Sequence, residues 1–171
     1  MNIILIGFMG SGKSAVGHEL AQELGLHYVD TDEIIAKTEK MSINDIFSQK
    51  GEAHFRYLET EVVKTLQDYE NFVIATGGGM VLRPENVKML KEIGPLVLLW
   101  AEPEVIFNRI KHEEHRPLLR VADPLAEIKV ILGRRVQIYR EAADHVVDTS
   151  KLSVKEVVHQ VIEHVEKNNH E

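Results

Sequence analysis

Cysteine is absent from the 171-residue sequence, which excludes disulfide bonds and thiolate metal sites. The sequence also lacks an apolar run long enough to cross a bilayer, and no basic region, signal core or cleavage site precedes its first apolar segment. It contains no internal repeat, low-complexity tract or domain linker. We therefore expect one cytoplasmic domain over residues 1–171, with a frayed end at residues 168–171.

Positive charge is also scarce, because 20 lysines and arginines face 27 aspartates and glutamates, and the net charge is −7. This balance argues against electrostatic binding to nucleic acid, so we expect no nucleic-acid partner and no membrane partner. Recognition of an anionic ligand must then depend on a few cationic side chains in one cleft. The first glycine-rich turn also lacks the spacing G-x-G-x-x-G, which disfavours a dinucleotide-dependent oxidoreductase.

The strongest positive signal is a glycine-rich turn between an apolar segment, residues 3–6, and a helical pattern. Gly7, Gly12, Lys13 and Ser14 match the P-loop pattern G-x-x-x-x-G-K-[ST]. In such a loop the backbone N–H groups and the helix N-terminus bind phosphate. Lys13 can reach the β- and γ-phosphates, and the Ser14 hydroxyl can ligate Mg²⁺. An ordinary strand-to-helix turn is the alternative, and the strand and helix around the glycines disfavour it.

Strands and helices alternate along the whole chain, which predicts an α/β fold with a parallel sheet. Ligands of such sheets bind beyond the carboxyl ends of the strands. The segments that follow the five expected strands are the P-loop, Asp30 with Asp32, the glycines 77–79, the chain through Arg109 to Arg116, and Asp148 with Thr149. A phosphate cradle, two acids and a glycine-lined gap on one face indicate phosphoryl transfer.

The two acids after the second expected strand have an evident use in such a reaction. One of Asp30 and Asp32 can serve the Mg²⁺ shell, while the other binds the acceptor hydroxyl and takes its proton. The alternative is that they only cap the next helix. The three glycines Gly77, Gly78 and Gly79 permit close backbone approach to a small ligand, with a plain turn as the alternative.

Three groups of arginines are candidates for binding anions. Arg56 and Glu59 lie one helical turn apart, so Glu59 can orient the guanidinium, although a solvated surface pair is the alternative. Arg116 lies in a polar segment that we interpret as a lid that excludes water from the phosphoryl group. Arg135, with Arg134 and Tyr139, lies on the following helix and could offer a cation to an anionic acceptor.

Together these residues resemble the shikimate kinase family, whose members are P-loop kinases of the nucleoside-monophosphate-kinase-like fold. The resemblance covers nearly the whole chain. It rests on residues 7–14, 30–32, 55–59, 77–79 and 116–119, and on Arg135 with Tyr139.

The resemblance implies a three-layer α/β/α fold with a central five-stranded parallel sheet, order 2-3-1-4-5, and the P-loop after strand 1. It also implies a substrate-binding helical segment at about 31–62 and a lid at about 111–124. The expected reaction transfers the γ-phosphoryl group of ATP, with Mg²⁺, to the 3-hydroxyl of shikimate. A monomer is expected.

Residue roles follow from the same resemblance. The catalytic residues would be Lys13, Asp32 and Arg116. The nucleotide would be bound by Gly10, Ser11, Gly12, Lys13, Ser14, Ala15, Arg109 and Arg116. Shikimate would be bound by Asp32, Arg56, Gly77, Gly78, Gly79 and Arg135, and Mg²⁺ by Ser14 and Asp30.

Two other classes stay open at this point. One is another small-molecule kinase of the same fold, such as a gluconate-type or nucleoside-monophosphate kinase. Arg56, Arg135 and the three glycines as a set argue against it. The other is a nucleotide-binding regulator without catalysis, and the intact Lys13, Ser14 and two acids argue against that.

Overall fold

A computed structural model describes residues 1–168 as five strands and eight α-helices. The strands are β1 Ile3–Ile6, β2 His27–Asp30, β3 Phe72–Ala75, β4 Leu96–Trp100 and β5 His145–Asp148. The helices are α1 Lys13–Leu24, α2 Thr31–Glu39, α3 Ile43–Lys50, α4 Glu52–Leu66, α5 Pro84–Ile93, α6 Pro103–Ile110, α7 Pro124–Ala142 and α8 Val154–Asn168. The expected fraying lies outside the described residues, except for Asn168, which ends α8.

All strand pairs are parallel and the order is β2-β3-β1-β4-β5, which confirms the expected sheet. The central strand β1 is buried throughout, as its continuous apolar sequence predicts. Leu5 pairs with Ala75 of β3 on one side and with Val97 of β4 on the other. The chain order therefore reverses at β1, and the P-loop leaves the sheet at the position where open α/β sheets bind ligands.

Helices cover both faces of the sheet, which gives the expected three layers. Ile3 and Leu5 of β1 belong to a core with α1 and α8. Ile4 and Ile6 belong to a second, larger core with helices α2 to α7. Val157, Val158, Val161 and Val165 form an apolar stripe on α8 that lies in the first core, so this face of the helix is a packing surface.

Several helix ends are set by residues at the ends themselves. Gly25 ends α1 in the left-handed conformation, with φ of 66°. Ser42 caps α3 by accepting a 3.1 Å hydrogen bond from the N–H of Asp45. Ser153 accepts a 3.2 Å bond from the N–H of Glu156 at the start of α8. Within residues 1–168, no helix combines the length and apolar character needed to span a membrane.

Candidate active site

The P-loop connects β1 to α1 in a conformation that its glycines allow. Gly7, Gly10 and Gly12 all have positive φ, and Gly12 is the left-handed N-cap of α1. The loop closes through a 3.2 Å bond from the N–H of Ser11 to the carbonyl of Phe8. It forms the floor of a cleft of about 340 Å³ at the carboxyl edge of the sheet.

The residues predicted to bind the nucleotide meet in this nucleotide cleft. It is lined by Gly10, Gly12, Lys13, Ser14, Ala15, Arg109 and Arg116, together with Asp30 and Asp32. Ser11 is the exception among the predicted residues, because it is buried and does not line the cleft. Its N–H is used within the loop, so the prediction that Ser11 contacts the nucleotide receives no support from this geometry.

Lys13 is held close to its own loop. Its Nζ donates to the carbonyls of Gly7 at 2.6 Å and Phe8 at 2.9 Å. Burial lowers the pKa of Lys13 to about 8, while Asp32 and Asp30 act in the opposite direction. The ammonium therefore stands in a poorly solvated position, where its attraction to a phosphate is little weakened by water.

Arg109 is anchored by Thr149, a contact that the sequence analysis did not anticipate. Arg109 donates to Thr149 Oγ1 at 3.1 Å, to the Thr149 carbonyl at 3.0 Å and to the Gly10 carbonyl at 3.2 Å. Thr149 Oγ1 in turn donates to the Ser11 carbonyl at 3.3 Å. The threonine at the end of β5 thus ties the P-loop to Arg109, and its place after a strand was the available signal.

The two acids after β2 have different environments. Asp30 is the N-cap of α2, and its Oδ1 accepts from the N–H groups of Asp32 at 2.8 Å and Glu33 at 3.3 Å. The helix-capping alternative is therefore correct for Asp30, although this residue also lines the nucleotide cleft. The carboxyl group is available on its second oxygen, which makes no hydrogen bond within residues 1–168.

Asp32 lies in the first turn of α2 and does not serve as the cap. Its Oδ1 is shielded from solvent and has no hydrogen-bond partner among the described residues. Burial raises the pKa of Asp32 to about 6; Asp30 adds to this, whereas Lys13, Arg56 and Arg116 oppose it. A buried carboxylate without a partner is costly, which makes Asp32 a candidate for a group that a ligand completes.

A second cavity of about 780 Å³, here called the acceptor cavity, lies beside the nucleotide cleft. Its predicted lining residues are Asp32, Arg56, Gly77, Gly78, Gly79, Arg116 and Arg135. Apolar walls that the sequence analysis did not assign come from Ile43, Phe47, Phe55 and Leu118. Asp32 and Arg116 line both cavities, so the two spaces meet at these side chains.

The Arg56 side chain is only 14% exposed and lines the acceptor cavity, so the surface-pair alternative is wrong. Its Nη1 donates to Glu59 Oε1 at 2.6 Å, and the Glu59 side chain is only 1% exposed. Burial raises the pKa of Glu59, while the bond from Arg56 lowers it. The guanidinium lies against Gly79, at the place where a β-carbon would stand. Glu59 thus orients a cation over the glycine backbone.

The lid is connected to both cavities. Arg116 pairs with Glu113 of the same segment, and both line the nucleotide cleft. Asn44 of α3 donates a 2.8 Å hydrogen bond to the carbonyl of His115, the residue before Arg116. Residues 117–120 form a 3₁₀ turn within the polar segment that we interpret as the lid. No group of three metal-binding side chains is found in the part of the chain that the structure describes.

A P-loop on a parallel sheet, with a buried carboxylate between a phosphate cleft and a cation-lined cavity, defines a P-loop phosphotransferase that acts on a small molecule. The comparisons with known proteins narrow this class. The shikimate kinase family model matches residues 9–166, and the chain belongs to that family. The shikimate kinase of Thermodesulfovibrio yellowstonii is 46% identical over 166 residues, which are 97% of this chain and 95% of the relative.

Solved structures agree with this family. The shikimate kinase of Acinetobacter baumannii, in complex with shikimate, has a TM-score of 0.92 and 34% identity, and the match covers 98% of this chain and 93% of that one. The shikimate kinase of Aquifex aeolicus has a TM-score of 0.85 and 43% identity, with coverage of 99% and 98%. The predicted family and the predicted fold are both confirmed.

Proposed function

We propose that the protein transfers the γ-phosphoryl group of ATP to the 3-hydroxyl of shikimate, giving 3-phosphoshikimate and ADP. Membership of the shikimate kinase family supports this reaction. The observation that carries the residue assignment is that the nucleotide cleft and the acceptor cavity meet at Asp32 and Arg116. Phosphoryl transfer needs donor and acceptor in line with little covalent help from the protein, so positioning and charge are the expected contributions.

On the nucleotide side, the P-loop would bind the phosphates and Lys13 would neutralise charge on the β- and γ-phosphates. Its bonds to the carbonyls of Gly7 and Phe8 hold the ammonium near this position. Arg116 would add a second cation from the lid, after exchanging Glu113 for phosphate oxygens. Arg109, which Thr149 holds above the loop, would contact the adenine end of the nucleotide.

The residues at the cleft also fit Mg²⁺. Ser14 and Asp30 offer oxygen ligands, and the second oxygen of Asp30 makes no bond within residues 1–168. Mg²⁺ usually takes one or two protein ligands and completes its shell with water and phosphate, so a cage of three acids is not required. Bound there, Mg²⁺ would supply charge neutralisation on the phosphate oxygens.

On the acceptor side, Arg56 and Arg135 would hold the carboxylate of shikimate. Both guanidinium groups line the acceptor cavity, and paired guanidinium groups select a planar carboxylate. Gly79 lines the same cavity beside Arg56, and its N–H can donate to the same anion. Asp32 would accept the hydrogen bond of the reacting hydroxyl and take its proton, because its Oδ1 has no partner among the described residues.

Several expectations from the sequence stay predictions. They are a monomeric state, a cytoplasmic location, the absence of nucleic-acid and membrane partners, and the bounds of the substrate segment and the lid.

A coupled ADP-release assay tests the proposal. The assay contains ATP, Mg²⁺ and one acceptor from a panel of shikimate, quinate, gluconate and nucleoside monophosphates. We expect turnover with shikimate to exceed that with every other acceptor by at least about 100-fold, because its ring holds the carboxylate and the 3-hydroxyl in one fixed geometry for the arginines and Asp32. The carboxylate of quinate is on a tetrahedral carbon, gluconate is acyclic, and nucleoside monophosphates have no carboxylate. Turnover with gluconate or a nucleotide but not with shikimate would contradict the acceptor assignment, and ATP binding without any turnover would favour a regulator.

A further inference from the structure

Tyr139 is a buried polar residue that the proposed reaction does not use. It lies on α7, one helical turn after Arg135, and its side chain is fully buried in the larger core. Its hydroxyl donates a 2.6 Å hydrogen bond to the carbonyl of Gly78. Burial raises the pKa of Tyr139, so the group remains a neutral O–H donor near neutral pH. The contact joins residues 61 positions apart in the sequence.

This bond orients the peptide group between Gly78 and Gly79. A trans peptide is planar, so its N–H points away from its carbonyl, and here the N–H of Gly79 points away from Tyr139. Gly79 is buried and lines the acceptor cavity, and its N–H has no acceptor within residues 1–168. Buried N–H groups without a partner are rare in folded proteins, so this donor indicates a position for a ligand atom.

The surroundings of this N–H show which ligand atom fits. The guanidinium of Arg56 occupies the space that a β-carbon on Gly79 would take. Arg135 lines the same cavity, with its Cζ 5.9 Å from the centre of the Phe8 ring. Two cations and one unpaired N–H around one space suit an anionic oxygen.

We propose that Tyr139 is a positioning residue for the carboxylate of the acceptor, because its hydroxyl holds the Gly78–Gly79 peptide with the N–H of Gly79 directed at the anion that Arg56 and Arg135 bind. The inference rests on the proposed function. The physical reason for a tether is that consecutive glycines lack the β-carbons that restrict backbone rotation. Without the tether this peptide can rotate, so the N–H of Gly79 no longer points at the carboxylate when the acceptor binds. Tyr139 thereby contributes to acceptor affinity without contact with the reacting atoms.

The test removes one oxygen atom and keeps the ring. For Tyr139→Phe, we expect the KM for shikimate to rise about five- to tenfold, which is the effect of one hydrogen bond. We expect kcat and the KM for ATP to stay within about twofold of the wild type, since the P-loop side is untouched. The matched control is Tyr69→Phe, because Tyr69 packs on Phe72 and lines neither cavity. Loss of the Tyr69 hydroxyl should therefore change neither KM.

Two further measurements separate this role from others. If Tyr139 acts through Arg135 instead, Tyr139→Phe should have no additional effect on the KM for shikimate in an Arg135→Lys background; a persisting effect supports the glycine peptide. In the wild-type protein, the ¹H–¹⁵N resonance of Gly79 should move downfield when shikimate is added. This second measurement does not depend on the folding of any variant.

The outcomes distinguish this inference from the proposed function. If the wild type phosphorylates shikimate and Tyr139→Phe leaves its KM unchanged, the positioning role is wrong and the function stands. An equal rise of both KM values, or a Gly79 resonance that does not respond to shikimate, also overturns the positioning role. If the wild type does not phosphorylate shikimate, the proposed function and the positioning role of Tyr139 are both wrong.

Discussion

The guanidinium of Arg56 lies directly against the α-carbon of Gly79, in the volume that any other residue would need for its β-carbon. The same guanidinium is bound to Glu59, whose side chain is almost fully buried. Arg56 therefore cannot move away from Gly79 without leaving a buried carboxylate unpaired, which is costly. The glycine at this position is a condition for placing the cation.

We predict that Gly79→Ala lowers kcat/KM for shikimate by at least about 100-fold, because the new methyl group displaces Arg56 and breaks its pair with Glu59. The KM for ATP should change by less than about threefold, since Gly79 does not line the nucleotide cleft. Steady-state kinetics with each substrate varied in turn measure both effects. The control is Gly133→Ala on α7, where a β-carbon meets no atom within 4 Å. That variant should keep full activity and gain roughly 0.5–1 kcal/mol of stability.

Lys13→Met should lower the activity of the protein and at the same time raise its stability. We expect turnover to fall by about 10³-fold or more, because the charge on the phosphates loses its partner. Since burial lowers the pKa of Lys13 to about 8, the folded protein holds this charge at a cost below that pH. The variant without ligands should therefore be more stable than the wild type at pH 7.

The difference in stability between the wild type and Lys13→Met should depend on pH. Wild-type stability should rise relative to the variant between about pH 8 and pH 10.5, as the folded protein releases the proton before the unfolded chain does. Urea unfolding at pH 7 and pH 10 measures this. A variant that is less stable than the wild type at pH 7 would show that the bonds of Lys13 to Gly7 and Phe8 outweigh its burial.

Asp32 should set the acidic limit of activity. Its pKa is raised to about 6, and a base must be deprotonated, so kcat/KM for shikimate should fall about tenfold per pH unit below pH 6. Asp32→Asn should lose about 10²- to 10⁴-fold in kcat at pH 7.5. Asp68→Asn, an exposed site after α4, serves as the control and should leave the pH profile unchanged.

Removal of the Asp32 charge should also affect stability. Because the folded pKa lies above the ordinary value of 3.8, the wild type should lose stability as pH rises from about 4 through 6, and Asp32→Asn should not share this loss. The variant without ligands should hence be more stable at pH 7 and close to the wild type below pH 4. Thermal unfolding across this range measures the difference. The opposite trend would mean that attraction to Arg56, Lys13 and Arg116 outweighs the burial of the Asp32 carboxylate.

Thr149→Val should weaken the binding of ATP and leave the binding of shikimate unchanged. The substitution keeps the shape of the side chain but removes the hydroxyl that accepts from Arg109 and donates to the carbonyl of Ser11. We expect the KM for ATP to rise about five- to tenfold, with the KM for shikimate within twofold. Thr65→Val, at an exposed position of α4, is the matched control. Equal changes for both substrates would indicate a general loosening of the sheet edge.

The parts of the site that were predictable have local signals. The spacing of Gly7, Gly12, Lys13 and Ser14 follows from the geometry of a phosphate-binding turn. The carboxyl end of each strand is recognisable in the sequence, because apolar residues give way there to polar ones or to glycine. The resemblance to the family then supplied the strand order. The burial of Glu59 was not predictable in this way, since an arginine and a glutamate three residues apart look the same on a surface helix as beside a cavity.

By itself, the sequence of this protein determined the P-loop, the five strands, the caps of α3 and α8, and the set of acids and arginines at the sheet edge. These features depend on residues that are neighbours in the chain, where spacing decides geometry. Only the tertiary structure decided that Thr149 holds Arg109 and the carbonyl of Ser11, and that Tyr139 donates to the carbonyl of Gly78. Each of these contacts joins distant segments, so it exists only after the sheet has brought the strand ends together.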